Sequence, residues 1–269
     1  QALRPALSDS IRRTTAVVFL AATAASRWRG WREVERLLHS AQWIDSLFNG
    51  EGRVLLIRAA LEREADSLAA ARAAVAVDFA RDGVARGERL VLLARALDRR
   101  NRLDSSRATY LRAASDLPML RDWLLLRAAG VTRARARRDS IYGLLSTSAV
   151  QQRVPRTEAS TRERHGDIAG AAAAYDQMGD SLSAVRLRLV RARGTRRLAL
   201  RQRLMSIVRR RPDTPEAERA IEILDDAGVR LTPNEELAVA RMGEKRGLWS
   251  RAATAYGRVL RRSRCRASG

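Results

Sequence analysis

The sequence predicts an all-α protein of about thirteen helices, arranged in consecutive pairs. Three observations carry this expectation. Of 269 residues, 47 are Ala, 34 are Leu and 51 are Arg, three of the strongest intrinsic helix formers. Gly and Pro number 16 and 6 and aromatic residues make up 4%, too few turn and strand formers for an all-β fold. Apolar residues recur every three or four positions over runs of about 10 to 16 residues, separated by short Gly, Asp, Ser or Pro breaks. No stretch alternates at period two for long enough to make a sheet. A chain of this length can bury its own core without a disulfide or metal staple.

From the N-terminus, Arg12 and Arg13 precede a small and apolar run, Thr14 to Ala25, too short to span a bilayer. It has two readings. One is a buried first helix. The other is a residual secretory signal with Ala22-Thr23-Ala24 at the cleavage site. Trp31, Val34, Leu38 and Ala41 then mark one helical face. Residues 53–62 and 65–77 form a candidate pair, as do 84–99 and 103–115. Pro118 opens a helix containing Trp123, with Ser115 and Asp116 upstream as caps. Later helices fall near 133–145, 155–165, 167–178, 181–192, 195–210, 214–227, 233–246 and 248–262. Asn49-Gly50, Asp82-Gly83 and Gly179-Asp180 are breaks, 146–154 is a loop, and 263–269 reads as a disordered tail.

Serial helix pairs call for a repeat search. Three tyrosines anchor one. Ala94, Ala159 and Ala240 lie sixteen residues before Tyr110, Tyr175 and Tyr256. Asn101, Gly166 and Gly247 lie nine before them, and Ser106, Ala171 and Ala252 four before. Tyr142 does not fit. The small residues let two helices approach, the Gly or Asn takes the turn, and the Tyr fills the gap to the next pair. The offsets resemble the tetratricopeptide repeat. They imply a right-handed α-solenoid, one elongated superhelix over residues 1–262, in which neighbouring pairs bury each other's apolar stripes. The tyrosines are 65 and 81 residues apart, so the array is irregular.

A more specific likeness rests on Trp28-Arg29-Gly30-Trp31 with Val34, Leu37, Leu38 and Trp43. It also rests on Asp122-Trp123-Leu124-Leu125-Leu126-Arg127-Ala128-Ala129, on His165-Gly166-Asp167 to Tyr175, and on Thr232 to Leu260. Over residues 15–262 these resemble the helical superhelix of bacterial soluble lytic transglycosylases. The resemblance implies a periplasmic scaffold that positions peptidoglycan glycan strands, needs no metal or cofactor, and is followed by a lysozyme-like domain with a catalytic Glu, usually in a Glu-Ser pair. This sequence contains no Glu-Ser pair, so the chain is read without catalytic residues and without that domain. Setting the resemblance aside, a cytoplasmic location fits as well.

The residues themselves offer little chemistry. Glu33, Glu35, Glu62 and Glu64 sit among arginines and read as surface ion pairs. His39 and His165 are isolated, so no helix-borne metal pair exists. Cys265 is single and near the end, a poor place to organise a nucleophile. Trp31 and Trp123 are assigned to repeat packing, and Trp28 and Trp43 likewise read as core before they read as sugar platforms. No phosphate-binding glycine loop is present.

The net charge is +22, with Lys245 the one lysine. A coding sequence rich in G and C gives the same bias, so charge alone does not point to nucleic acid. One segment stands out. From Ser181 to Pro212 there are eleven Arg and no Asp or Glu. Arg186, Arg188, Arg191, Arg193, Arg196, Arg197, Arg201 and Arg203 are the candidate anion-binding residues. They suit carboxylates or phosphates. The run lacks any aromatic residue, which counts against nucleic acid. A tetratricopeptide-type adaptor for a partner protein is the alternative to the glycan scaffold, and an Arg-driven nucleic-acid binder is the second.

Overall fold

A computed structural model describes residues 14–267, with side chains described over 14–261. Helix accounts for 77% of the chain and no strand occurs among the described residues. Among the described residues fifteen α-helices of eight residues or more form, where about thirteen were expected. The run Thr14 to Ala25 supplies one of them, while Arg12 and Arg13 lie outside the described residues.

The chain divides into two compact units, residues 1–157 and 158–269. The first contains α1 (Thr15–Arg27), α2 (Trp31–Leu38), α3 (Glu51–Glu62), α4 (Asp66–Asp78), α5 (Gly83–Arg99), α6 (Leu103–Asp116), α7 (Arg121–Gly130) and α8 (Arg135–Tyr142). A single helical turn, Ser148–Gln151, lies within the stretch expected to be a loop. The division falls in the first turn of α9 (Val154–Arg164). The second unit continues with α10 (Ile168–Gln177), α11 (Ser181–Arg191), α12 (Gly194–Arg210), α13 (Pro215–Asp226), α14 (Pro233–Lys245) and α15 (Trp249–Ala267). The backbone of α15 thus runs on into the stretch read as a tail. Within each unit, the substantial helix contacts join a helix to its chain neighbour or to the next but one.

Six helix pairs close through one kind of turn. At Arg29, Glu64, Asn101, Gly166, Gly179 and Gly247 the backbone is left-handed, with φ between 57° and 84°. The amide after the turn residue then donates to the carbonyl five positions earlier. Examples are Arg102 to Leu97 at 2.8 Å, Asp167 to Arg162 at 2.9 Å and Leu248 to Gly243 at 2.7 Å. Ala65 to Ala60 at 2.9 Å and Gly30 to Ala25 at 2.8 Å repeat it. This closure satisfies a helix-end carbonyl and reverses the chain in two residues.

Side chains follow the same register. The residues seven before and five after each turn position are Ala22 and Val34, Ile57 and Ala69, Ala94 and Ser106, Ala159 and Ala171, Ala172 and Ala184, and Ala240 and Ala252. None is more than 4% exposed. In the first unit the turn residues Arg29, Glu64 and Asn101 are 35 and 37 residues apart. Tyr110 and Tyr175 are buried and Tyr256 is half-buried. Tyr110 shares a core cluster with Leu125 and Ala128 of α7. The Tyr175 hydroxyl reaches back to Glu163 at 3.4 Å, and that of Tyr256 to Glu244 at 3.1 Å.

Helix starts are set by capping. Asp82, Asp167 and Asp180 each accept a bond from the amide three residues on, at 2.7, 2.9 and 3.1 Å. Thr232 and Glu235 form a reciprocal capping box, with Pro233 as the first helical residue. Ser115 and Asp116 do not cap the helix after Pro118. α6 runs to Asp116, Pro118–Leu120 is a 3-10 turn, and α7 starts at Arg121. The Asp116 carboxylate is instead gripped by Arg86 through bonds of 2.8 and 2.6 Å.

Trp31 and Trp43 are half-buried in the N-terminal core cluster. Trp123 does not pack into the core. α7 gives its buried positions to Asp122, Leu124, Leu125, Leu126, Ala128 and Ala129, and Trp123 stays on the outer face, 45% exposed. Trp28 is more exposed still, since it is the C-cap of α1 just before the turn at Arg29.

The connection between the first two hairpins holds three left-handed residues in a row: Phe48 (φ 49°), Asn49 (φ 54°) and Gly50 (φ 73°). For Phe48 this is costly, because a Cβ crowds the following carbonyl in that region. Two contacts hold it. The Phe48 ring stacks on Phe19 at 4.3 Å, with Trp43 set edge-on. Arg89, 3% exposed on α5, donates to the Asn49 carbonyl at 2.6 Å and to the Ala76 carbonyl of α4 at 2.9 Å.

Candidate functional site

The arginine-rich segment becomes α11, a two-residue connection, and α12. Neither helix carries an acid in its first turn. Arg186, Arg188 and Arg191 project from α11, Arg193 lies in the connection, and Arg196, Arg197, Arg201 and Arg203 project from α12. The structure does not bring the eight together as one anion surface. It divides them.

Four are fastened to this unit's own acceptors. Arg186 donates to Glu163 at 2.7 Å, and Arg188 is ion-paired with Asp176. Arg197 donates to the Ala227 carbonyl at 2.7 Å, and Arg201 takes the Glu235 carboxylate in a two-pronged grip. Burial pushes the Glu235 carboxyl up. The bond from Arg201, with those from the Thr232 amide and hydroxyl, outweighs it and leaves the group below its ordinary range. These arginines tie one helix to another, and Arg201 and Glu235 are no longer presented to a ligand.

The remaining four differ. Arg191 reaches only the Gly166 carbonyl, at 3.4 Å. Among the described residues no carboxylate lies within ion-pair distance of Arg191, Arg193, Arg196 or Arg203. Arg193 is also the N-cap of α12 and supplies no capping bond from its side chain. The start of α12 therefore combines uncapped amides with Arg196 and Arg197, like charges on the positive end of a helix dipole.

Arg188, Arg191 and Arg196 line one groove of about 440 Å³. Its floor is Ile168, Ala169 and Ala172 of α10, Leu187 of α11, Ala192 of the connection and Leu200 of α12. Small aliphatic surface with guanidinium groups at its edge suits an anion with an apolar body. No nucleophile or general base lines it. The apolar half was invisible in the sequence, because Ile168, Ala169 and Ala172 belong to a helix otherwise read as plain repeat packing.

In the first unit, Asp122 is the notable polar group. It is 7% exposed and accepts from the Ser146 amide at 2.8 Å, the Ser146 hydroxyl at 3.0 Å and the Thr147 amide at 2.6 Å. The Thr147 bonds first, and those of Ser146 with them, hold its carboxyl at about 2 against an ordinary 3.8. Asp122 pins the 146–147 segment onto α7 through one carboxylate oxygen, while the other accepts from Arg121 at 3.3 Å. It entered the sequence reading only within the likeness around Trp123.

The other singled-out groups settle as local structure. Glu33 bonds Arg36 at 2.7 Å, Glu35 is shared by Arg63 and Arg72, and Glu62 faces Arg95 at 4.0 Å. His39 is the C-cap of α2. Cys265 lies beyond the described side chains. Among the described residues no cluster of three or more His, Cys, Asp or Glu is placed to hold a metal, and no helix is long and apolar enough to cross a membrane. No known family, no curated protein and no solved structure matches this chain.

Proposed function

We propose that the chain is a non-catalytic helical-repeat scaffold, the superhelical part of a lytic transglycosylase-like protein that holds peptidoglycan glycan strands. The observation that carries the scaffold reading is the hairpin shared six times, with one left-handed turn and two buried positions at fixed distance from it. Its spacing of 35 and 37 residues in the first unit is close to the roughly 34 residues of a tetratricopeptide unit. Within each unit, contacts kept to near neighbours in chain order support a right-handed α-solenoid built pair by pair as the proposed arrangement. Exposed Trp28 and Trp123 add support for glycan binding, since an indole in solvent can stack on a sugar face. Both lie in the segments that carry the likeness, and the periplasm is the compartment it fits.

The test is co-sedimentation with purified peptidoglycan sacculi, with turbidity followed in parallel. The chain is expected to pellet with sacculi without clearing them, and Trp28→Ala with Trp123→Ala to weaken the pelleting. Absence of pelleting removes the glycan reading. An adaptor role is the second reading, and the aliphatic floor between Arg188, Arg191 and Arg196 favours it.

A further inference from the structure

The geometry points to the groove of α10, α11 and α12 as a binding site for a short acidic peptide, with carboxylates on Arg191 and Arg196 and an aliphatic side chain on the floor between them. The inference stands apart from glycan binding, because it uses none of the tryptophans.

Charge complementarity comes first. Arg191 and Arg196 lie on one groove, and among the described residues no carboxylate lies within ion-pair distance of either. Their neighbour Arg188 already holds one, from Asp176, so a carboxylate can seat on a guanidinium at this margin. The first turn of α12 has no acid and no side-chain cap, which leaves Arg196 beside the positive end of a long helix. An incoming carboxylate relieves both charges, and a guanidinium can hold it through two parallel bonds.

The floor selects among anions. Ile168, Ala169 and Leu200 offer aliphatic surface for a Leu- or Ala-sized side chain, over buried Ala172 and Leu187. No aromatic residue lines the groove, so bases have no stacking platform, and a nucleic acid gains nothing beyond its phosphates. A volume of about 440 Å³ lies in the range of small-ligand sites. Bare phosphate would leave the floor unused.

The test is fluorescence anisotropy with a labelled, end-capped Glu-Leu-Glu peptide on the full chain. The wild type is expected to bind it and to bind Gln-Leu-Gln at least about tenfold more weakly, because two charged hydrogen bonds are lost. Arg191→Gln with Arg196→Gln is expected to cost about tenfold or more. Arg203→Gln with Arg209→Gln removes the same charge elsewhere on α12 and is expected to leave affinity nearly unchanged. All four side chains are exposed, so circular dichroism should show unaltered helix. The proposal is overturned if the peptide does not bind, if Gln-Leu-Gln binds equally, or if the two double variants lose affinity alike. It is overturned too if Glu-Gly-Glu or an oligonucleotide of equal charge binds as tightly as Glu-Leu-Glu. Failure of sacculus binding leaves this result untouched, and the reverse.

Discussion

The Ser106 hydroxyl donates to the Ala94 carbonyl at 2.8 Å, joining the two buried positions of one hairpin across its helices. Both residues are fully buried. The helices meet so closely there that a side chain of one can bond the backbone of the other. Replacing Ser106 with Ala should cost about 1 kcal/mol, the worth of one hydrogen bond. Ala94→Leu should cost about 1–3 kcal/mol by forcing the helices apart. Urea denaturation followed by circular dichroism reads both. A neutral Ala94→Leu would show that the helices are not held at this spacing.

Glu64 should be a poor choice for its own position. It is exposed, with φ of 61°, and closes the second hairpin. A non-glycine residue loses about 1–2 kcal/mol in that region. Glu64→Gly should therefore stabilise the protein by about 1 kcal/mol, after the extra freedom of glycine in the unfolded chain is deducted. Gly166→Ala should do the opposite. Thermal unfolding midpoints moving the other way would contradict the turn geometry.

Asp122 should make stability fall in acid. Its folded carboxyl titrates at about 2 and its unfolded one at 3.8, so the folded state holds the proton less tightly. The contribution is fully present above the unfolded value and is lost as pH drops from about 4 towards 2. Asp122→Asn should lower the midpoint at neutral pH and flatten the decline over that window. A variant that keeps the wild-type slope would place the titrating group elsewhere.

Arg201→Ala should be harsher than any other single removal in the arginine run. It strands Glu235, 7% exposed, with only the Thr232 amide and hydroxyl as partners. The loss is about 2 kcal/mol or more, because a buried charge left without its partner retains its desolvation cost. Arg203→Ala, with no acid among the described residues to strand, should fall within about 0.5 kcal/mol of wild type. Equal losses in chemical denaturation would refute the division of the run into fastened and unengaged arginines.

Much of the helical framework was legible because Ala and Leu spacing reports a buried stripe directly. Asn101, Gly166 and Gly247 announced their turns, since those residue types tolerate a left-handed backbone. Arg29 and Glu64 make the same turn and announced nothing, which is why the 35- and 37-residue spacing of the first unit stayed hidden behind the more distant tyrosines. The arginine run was visible as composition. Which of its members face an acid depends on Glu163, Asp176 and Glu235, residues up to 34 positions away in sequence, and no local pattern encodes that pairing.

Arg89 has a consequence for how this protein can be altered. One guanidinium reaches from α5 to α4 and to the Asn49 carbonyl of the connection beyond, so two successive hairpins and the connection before them share a single fastening. Hairpins in the first unit are therefore not interchangeable cassettes. Deleting or swapping the α3–α4 hairpin would strip the Ala76 acceptor from a sequestered cation that also holds the Phe48 kink, so length variants made by cutting at hairpin borders should tolerate changes after α6 far better than changes before it.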